Sequence, residues 1–253
     1  MFTARNYVKA ASLEEAWELN QKRSNAILGG GCWMRLAKRR YDTLIDLSGL
    51  GLEGIWEEDG MIRLGAMTTL REIEESPVLR TAFGAYFKDC TRHIVGVQFR
   101  NCATLGGSVR SRFGFSDIVT ALLPLPGAVV ELYKGGTVSL ADYVQMEYDR
   151  DLLLGVRLNA APCAAAYESV RNSETDLPVL TCAVCKDGKT YRAAIGARPG
   201  RAVLLTGNSL EELSGQAAQL HYASNLRAGA DYRKHLSGVL LKRALKRLEE
   251  AET

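Results

Sequence analysis

Two periodicities of apolar and polar residues follow one another at the start of the chain. Ser12 and Glu15 have the spacing of a capping box, which marks the N-terminus of a helix. Leu13, Ala16 and Trp17 then recur at helical spacing, so the pattern predicts a helix over about residues 12–23. Short apolar runs bounded by glycine and aspartate predict strands over 25–28, 43–48, 52–58 and 61–66.

Helical and strand patterns alternate through the rest of the chain without an internal repeat. After Thr68 the sequence LREIEE predicts a short helix, residues 79–92 a longer one, and residues 104–108 a glycine-bearing loop. The last third predicts a strand at 164–171, a hairpin at 178–198, and helices at 209–220 and 231–250. Helices covering small sheets in this way indicate an α+β protein.

A change of composition suggests where the chain divides. Residues 155–165 (GVRLNAAPCAA) are rich in glycine, asparagine, alanine and proline, as domain junctions often are. We therefore expect one domain over residues 1–160 and a smaller one over 161–253. On the last helix, a basic face is consistent with an acidic partner or with simple solvation; its members are Lys242, Arg243, Lys246 and Arg247.

Charge and hydropathy exclude two classes of partner. The formal net charge of +3 is far below the clustered surplus of a nucleic-acid-binding protein. The longest apolar stretch, residues 118–130, contains Pro124, Pro126 and Gly127 and cannot cross a membrane as a helix. The first 20 residues carry acids and lack the apolar block of a secretory signal. We therefore expect a cytoplasmic protein with reduced cysteines.

The cysteines and histidines do not form a recognisable metal set. Cys182 and Cys185 have CxxC spacing, but they fall in a predicted strand, where residues three apart face opposite sides. Neither a second CxxC nor a nearby histidine completes a ligand set. These two cysteines are therefore expected to be core residues, and no metal site is predicted.

Two glycine motifs mimic nucleotide-binding signatures. Gly49, Gly51 and Gly54 spell GxGxxG, but a hairpin pattern follows where the dinucleotide motif requires a helix. Gly188 and Lys189 resemble the end of a P-loop, yet they lie at the turn of the predicted hairpin. Both are interpreted as turns.

Two other glycine segments fit a nucleotide better. AILGGGCW (26–33) ends a predicted strand, and RNCATLGGSV (100–109) follows about 70 residues later. Glycine lets a backbone approach a ligand closely, and successive exposed N–H groups form an anion-binding concavity. Thr104 and Ser108 add hydroxyl donors, and Asp117 adds an acceptor for a sugar hydroxyl. The pair of segments predicts a diphosphate site.

These segments resemble those of a known family. The GGG turn, the string VQFRNCATLGG (97–107), and Asp117 ahead of the run IVTALLPL are similar to the FAD-binding subunit of the xanthine dehydrogenase and carbon monoxide dehydrogenase family of molybdenum hydroxylases. The resemblance implies an N-terminal FAD domain of the vanillyl-alcohol oxidase and p-cresol methylhydroxylase type. It also implies a small C-terminal domain like that of the carbon monoxide dehydrogenase flavoprotein.

The resemblance also implies the cofactor contacts. Asp117 is assigned to a sugar hydroxyl, Ile94 to the side of the isoalloxazine, and Leu153 to the flavin or the adenine. Ile94 and Leu153 are equally consistent with ordinary core positions. The residues assigned to the FAD diphosphate are Leu28, Gly29, Gly30, Gly31, Cys32, Trp33, Thr104, Gly106, Gly107 and Ser108. A carboxylate at Gly106 is then expected to abolish FAD retention without unfolding the chain.

The sequence departs from the family at two places. Where a lysine is common after the strand that opens the C-terminal domain, this chain has Glu168 and Ser169, with Arg171 as the nearest cation. After the second glycine segment, Arg110 and Arg112 replace small residues. Contact of these two arginines with a nucleotide phosphate and simple solvent exposure both remain open.

The implied function is electron transfer. Electrons would leave a substrate at a molybdenum cofactor on one subunit, cross iron–sulfur clusters on another, and reach NAD or another acceptor through FAD on this chain. No catalytic side chain is expected, since the flavin carries the chemistry. Two alternatives stay open: a stand-alone reductase of the enolpyruvoyl-glucosamine reductase type, and a flavin-free scaffold subunit.

Overall fold

The computed structural model describes residues 1–252, which form three sheets and their covering helices. The first sheet is parallel, with strand order β1-β3-β2, and consists of β1 (Thr3–Lys9), β2 (Ala26–Leu28) and β3 (Arg40–Asp46). Helix α1 (Leu13–Gln21) connects β1 to β2. Ser12 Oγ accepts from the Glu15 amide at 3.1 Å, and the Glu15 carboxylate accepts from the Ala11 amide at 2.6 Å. The predicted Ser12 cap is confirmed, but the reciprocal half of the capping box is not formed, because Glu15 binds the amide of the residue before the cap instead of that of Ser12.

The second sheet is antiparallel and has five strands in the order β4-β5-β8-β6-β7. Its strands are β4 (Ile55–Glu58), β5 (Met61–Gly65), β6 (Val129–Leu132), β7 (Gly136–Ser139) and β8 (Leu153–Asn159). Asp59 and Gly60 turn β4 into β5 with positive φ angles of 51° and 70°, the backbone of a tight hairpin turn. The GxGxxG string therefore precedes a hairpin, which confirms that it is not a dinucleotide motif.

Short helices fill the connection between β5 and β6, and one more follows β7. They are α2 (Leu70–Glu75), α3 (Pro77–Phe83), α4 (Tyr86–Thr91), α5 (Val97–Arg100), α6 (Leu105–Arg110), α7 (Asp117–Leu122) and α8 (Leu140–Gln145). The single helix predicted over 79–92 is wrong, because Gly84 adopts a φ of 58° and separates α3 from α4. The loop predicted at 104–108 is also wrong, because Thr104 caps α6 and the glycines lie inside its first turn.

The third sheet is antiparallel, in the order β12-β11-β10-β9, and follows the predicted plan. Its elements are β9 (Ala165–Val170), β10 (Leu180–Asp187), β11 (Thr190–Gly196) and β12 (Val203–Gly207), followed by α9 (Leu210–Gln219) and α10 (Ala230–Glu252). Gly188 lies in the β10–β11 turn with a φ of 61°, so the P-loop-like triplet is a hairpin turn as predicted. The predicted α+β fold class is confirmed.

The cysteines only partly follow the prediction. Cys182 and Cys185 are both buried and belong to different core clusters on opposite faces of β10, as predicted. The expectation that all cysteines are reduced is wrong, because Cys185 forms a disulfide with Cys163. The pairing of Ala165 with Cys185 across β9 and β10 explains the contact, since it brings the residues just before β9 alongside the end of β10.

Apolar clusters cover both faces of the third sheet. One cluster contains Cys182, Val184 and Leu205 and packs against α9 and α10. The largest cluster of the molecule contains Tyr167, Ala183 and Cys185 together with residues of β5, β8 and α2–α7. The boundary between residues 160 and 161 falls between β8 and β9 and stays a prediction. Among residues 1–252, no helix has the length and hydropathy that a membrane span requires.

Candidate functional site

A cleft of about 740 Å³ brings the two predicted glycine segments together. Its volume is typical of a pocket that encloses a small molecule. The predicted residues that line it are Gly29, Gly31, Cys32, Trp33, Ile94, Thr104, Gly106, Gly107, Ser108, Asp117 and Leu153. Leu28 and Gly30 are not in the lining. Leu28 ends β2 and packs near Gly31, and Gly30 lies behind the turn against Cys102.

The first glycine segment is a tight turn directly after β2. Gly30 and Gly31 have φ angles of 58° and 68°, and the Gly31 amide donates to the Gly29 carbonyl at 2.6 Å. A Cβ on Gly30 would overlap the carbonyl oxygen of Cys102, a residue of the second segment. Glycine is therefore required here both for the positive φ and for the close approach of the two segments.

The second glycine segment touches the first. A Cβ built on Gly29 would lie 3.0 Å from Thr104 Oγ1, and one on Gly107 would lie 3.7 Å from the Gly29 carbonyl oxygen. A Cβ built on Gly106 would point at the end of the second sheet and come within 2.7 Å of the Ala66 carbonyl oxygen. The expectation that a carboxylate at Gly106 leaves the fold intact is therefore wrong, because that side of the glycine is filled by backbone.

The amides of the second segment are already committed within the protein. Those of Leu105 and Gly106 donate to the Thr68 and Ala66 carbonyls at 2.8 and 2.7 Å. Those of Gly107 and Ser108 donate to Thr104, at its Oγ1 and its carbonyl oxygen, both at 3.1 Å. The expectation of an anion-binding concavity made from successive N–H groups is wrong for this segment. In the part of the chain that the structure describes, the amides of Gly30 and Cys32 make no hydrogen bond.

Asp117 lies in the lining as the acceptor of a buried network that we call the Asp117 network (Asp117, Tyr167 and Arg171). Its Oδ1 accepts hydrogen bonds from the Tyr167 hydroxyl and from Arg171 Nη2. The side chains of Asp117 and Arg171 are 7% and 6% exposed. Burial raises the pKa of Asp117, although the charge of Arg171 opposes that shift.

Sequence reasoning missed most of this network. The sequence indicates Arg171 only as the nearest cation after the strand that opens the C-terminal domain, and it gives no signal for Tyr167. The two residues lie 54 and 50 positions from Asp117 along the chain. The signal present in the sequence is the lone arginine at a place where the family has a lysine. Arg171 Nη1 donates to the Asp176 carbonyl at 2.7 Å, and its Nε is buried without a partner.

The two arginines after the second segment have different surroundings. The Arg112 side chain is fully buried, donates to the carbonyls of Met146 and Glu147 at 2.7 and 2.9 Å, and stacks over Tyr143 at 4.0 Å. Its Nε and Nη2 are buried without a hydrogen-bond partner, but Arg112 lies outside the lining of the cleft, so it is a structural residue. Arg110 lines the cleft and pairs with Asp149 at 3.1 Å, and its Nη1 is buried without a partner.

Aromatic residues border the same cleft. Trp33 packs against Phe113 and Phe115, with ring centroids 5.5 and 5.3 Å away, and those two phenylalanines stack on each other at 5.0 Å. Phe113 and Trp33 are 37% and 44% exposed, so the cluster reaches from the cleft to solvent. Together with Ile94 and Leu153, it offers apolar surface to a planar ring system.

The residues present fit the predicted FAD. The crowded glycine turn leaves backbone, rather than side chains, facing the cleft at its centre. Four buried polar atoms of lining residues have no hydrogen-bond partner: the acceptor Asn25 Oδ1, the donors Arg110 Nη1 and Arg171 Nε, and His93 Nδ1. Such atoms are rare in proteins unless a ligand or water completes them. A long ligand with phosphates, hydroxyls and amino groups would offer partners to both the unpaired donors and the unpaired acceptor. Among residues 1–252, no His, Cys, Asp and Glu side chains form a metal-binding group.

Comparison with known proteins agrees with this fit. A family model described as the FAD binding domain in molybdopterin dehydrogenase matches residues 2–158. The carbon monoxide dehydrogenase medium chain of Afipia carboxidovorans is 28% identical over 253 residues, which cover 87% of each chain. The uncharacterized protein YgfM of Escherichia coli is 27% identical over 250 residues, or 93% of each chain.

A solved structure extends the likeness to the whole fold. Reconstituted CO dehydrogenase from Oligotropha carboxidovorans superposes with a TM-score of 0.84 and 25% identity, covering 99% of this chain and 98% of that one. The resemblance predicted from the glycine segments is therefore confirmed, as is the predicted FAD-domain fold. The chain belongs to the family of FAD-binding domains of molybdopterin dehydrogenases, and it is an oxidoreductase subunit whose cofactor is FAD.

Proposed function

We propose that this chain relays electrons through FAD inside a larger molybdenum-hydroxylase complex. Electrons would come from iron–sulfur clusters on one partner subunit, after substrate oxidation at a molybdenum cofactor on another, and would leave to NAD or a further acceptor. The observation that carries the proposal is the contact between the two glycine segments at the centre of the cleft. The medium chain of a carbon monoxide dehydrogenase, 28% identical, supports the multisubunit setting.

When bound, FAD supplies the redox chemistry, so no residue of the chain has to act as a nucleophile or general acid. The task of the protein is to bind and orient. The amide of Cys32, a lining residue directly after the Gly29–Gly31 turn, can donate to a phosphate oxygen. Thr104 Oγ1 already accepts from the Gly107 amide, which leaves its hydroxyl proton for a second phosphate contact.

The Asp117 network orients the sugar part of the cofactor. Because Oδ1 of Asp117 receives both internal hydrogen bonds, a cofactor hydroxyl would donate to Oδ2. Arg171 Nε, buried and without a partner, is available to donate to a carbonyl or ring nitrogen. Ile94 and Leu153 contribute apolar surface that excludes water from the ring.

A charge placed at Gly107 tests the cofactor site. Gly107 has helical backbone, and a Cβ there would meet only Thr104 Oγ1 at 3.2 Å and the Gly29 carbonyl at 3.7 Å, so a side chain is tolerated better than at Gly106. We expect Gly107→Asp to lower FAD affinity by about 100-fold, because its carboxylate repels the diphosphate in a low-dielectric cleft. Gly107→Asn, of the same size without the charge, should lose much less. Titration of the flavin-free chain with FAD, followed by flavin fluorescence, measures both.

A remote variant controls for general damage. Gly215 lies in α9 with open space around its Cα, so Gly215→Asp should bind FAD like the wild type. Equal FAD affinity in Gly107→Asp and Gly107→Asn would contradict the placement of the diphosphate. A purified chain without any affinity for FAD would favour the flavin-free scaffold.

The multisubunit setting needs a separate experiment. A tagged chain expressed in its native host should co-purify with two further polypeptides, and the complex should contain iron, acid-labile sulfide and molybdenum. Reduction of the flavin by substrate should require the metal-containing subunits, whereas NADH should reduce it without them if NAD is the acceptor. A metal-free flavoprotein that reduces a substrate on its own would favour the stand-alone reductase.

A further inference from the structure

One group of residues in the cleft is more basic than the glycine segments require. Four arginines, which we call the arginine cluster (Arg23, Arg39, Arg110 and Arg150), all line the cleft. They lie close enough to influence one another: burial lowers the pKa of Arg150, and the charges of Arg110, Arg23 and Arg39 lower it further. Bringing like charges together is unfavourable unless something of opposite charge joins them.

The protein itself supplies little of that opposite charge. Asp149 is the acidic partner of Arg110 and is shared with Arg112, which lies 3.8 Å away. Arg150 is held by the carbonyl oxygens of Asn20, Lys22 and Asn25 and not by a carboxylate. In the described part of the chain, Arg23 and Arg39 have no acidic partner at all. The cluster therefore keeps a net positive charge that faces the cleft.

The second glycine segment supplies no backbone donor to the diphosphate, which leaves only the first glycine turn, the Thr104 hydroxyl and the arginine cluster to hold it. All four amides of residues 105–108 bond within the protein, so the second glycine segment cannot supply the N–H groups that usually hold phosphates. Arg110 lies three residues after Gly107 on α6, on the same face of the helix. Its buried Nη1 has no partner. Arg110 thus lies one helical turn after Gly107, where the two glycine segments meet, and it lines the same cleft.

A second buried atom marks the same part of the cleft. Asn25 is 6% exposed, and its Oδ1 has no hydrogen-bond partner. Its Nδ2 donates to the Leu19 carbonyl at 2.8 Å, which fixes the amide so that the oxygen remains the free atom. The Asn25 carbonyl in turn binds Arg150 at 3.1 Å. An unsatisfied acceptor therefore lies beside the arginine cluster and calls for a ligand that donates a hydrogen bond.

We propose that the arginine cluster and Asn25 bind the adenosine diphosphate half of FAD, with Arg110 against the phosphates and Asn25 Oδ1 accepting from the adenine amino group. Arg110 replaces the amides of the second glycine segment as the countercharge, and the cluster makes the cleft selective for FAD over FMN, which lacks this half. The inference rests on the proposed FAD function. It adds that ADP alone has a binding site on the chain.

Calorimetry with ADP on the full, flavin-free chain tests the inference. Arg110→Gln should weaken ADP binding by about 10-fold or more, since charge-assisted hydrogen bonds to phosphate are among the strongest in proteins. Adenosine, which has no phosphate, should bind both proteins alike. Inosine diphosphate carries a carbonyl in place of the adenine amino group. It should bind the wild type about 10-fold more weakly than ADP, because two acceptors would then face each other.

Two further variants make the outcome decisive. Arg40→Gln removes an exposed arginine outside the cleft and should leave ADP binding unchanged. Arg23→Gln removes an exposed member of the cluster and should weaken ADP binding about 3-fold, even if Arg110→Gln fails to fold. Wild-type ADP affinity in both Arg110→Gln and Arg23→Gln, with FAD still lost in Gly107→Asp, would overturn the inference and leave the FAD function intact. Failure of the wild type to bind either FAD or ADP would overturn both.

Discussion

Two buried arginine–carboxylate pairs in this molecule have nearly the same exposure but different surroundings. The side chains of Arg100 and Glu74 are each 6% exposed, and those of Arg171 and Asp117 are 6% and 7% exposed. Arg100 holds Glu74 with Nε and Nη2 at 2.8 and 3.2 Å, and its Nη1 lies 3.3 Å from the carbonyls of Arg92 and Ile94. Every nitrogen of Arg100 therefore has an acceptor. In Arg171, Nε has none.

The pKa values of the two carboxyl groups, Glu74 and Asp117, are shifted in opposite directions. Burial pushes the pKa of Glu74 upward, but hydrogen bonds from Arg71 and Arg100 outweigh it, and the pKa ends below its usual value. Burial dominates at Asp117, whose pKa is raised. A complete pair that packs helices together is structural, whereas an incomplete pair that lines a cleft is arranged for a ligand. Between these two pairs, the difference is that Arg171 combines an unsatisfied donor with a position in the cleft lining, whereas exposure alone does not separate them.

The largest expected effect comes from breaking the complete pair. Arg100→Met leaves Glu74 buried with only Arg71 as its partner and should lower the free energy of unfolding by about 3–5 kcal/mol. Arg171→Met should cost less, about 1–2 kcal/mol, because Asp117 keeps the Tyr167 hydroxyl and its raised pKa lets it take up a proton. Urea unfolding of the two variants, followed by circular dichroism, gives both values. An equal loss would remove the distinction between the pairs.

The second effect concerns FAD affinity. Here the pair that contains Asp117 should matter more than the pair that contains Glu74, the reverse of their order for stability. Asp117→Asn should weaken FAD binding by about 10-fold, because an amide accepts more weakly than a carboxylate from the cofactor hydroxyl and from Arg171. Glu74→Gln should leave FAD affinity unchanged, since Glu74 does not line the cleft. Fluorescence titration with FAD at pH 7 measures each. Weaker FAD binding in Glu74→Gln than in Asp117→Asn would contradict the assignment of Asp117 to the cofactor.

The smallest effect is on the pH dependence of stability. Because the folded pKa of Glu74 is lowered, its contribution is present above its unfolded value of 4.5 and is lost as pH falls through the folded value. Asp117 has a raised folded pKa, so its contribution is complete below 3.8 and is lost as pH rises through the folded value. Glu74→Gln should therefore flatten the acid limb of the stability profile, and Asp117→Asn should steepen it.

Thermal unfolding between pH 3 and pH 7 checks the two slopes, with the FAD-free chain used throughout so that cofactor loss does not contribute. Slopes that change in the same direction in both variants would contradict the opposite shifts of the two carboxyls.

Local patterns in the sequence were enough to predict most elements and the two glycine segments. Ser12 and Glu15 fixed the start of α1, and Asp59 and Gly60 fixed a hairpin, because each signal acts within a few residues. Helix α6 escaped prediction because two glycines occupy its first turn, where intrinsic propensity argues against a helix. Its Thr104 cap and its bonds to Thr68 and Ala66 decide the outcome.

The unpredicted parts of the site depend on residues far apart in the sequence. Arg171 and Tyr167 meet Asp117 only because the third sheet packs against α4 and α7, and no spacing rule reports such a contact. The disulfide between Cys163 and Cys185 likewise follows from the register of β9 against β10. Arg110 and Arg112, two positions apart in the sequence, face a cleft and a buried ring respectively, which only the packing around α8 reveals.

Strand β10 has apolar neighbours on both sides, and this limits how the chain can change over evolution. Ala183 and Cys185 belong to the cluster shared with the FAD-binding part, while Cys182 and Val184 belong to the cluster beneath α9 and α10. From Leu180 to Cys185, both alternate rows of side chains are buried, so each row must fit the cluster on its own side of the sheet. A segment after residue 160 taken from a distant relative would therefore have to match two separate apolar clusters at once.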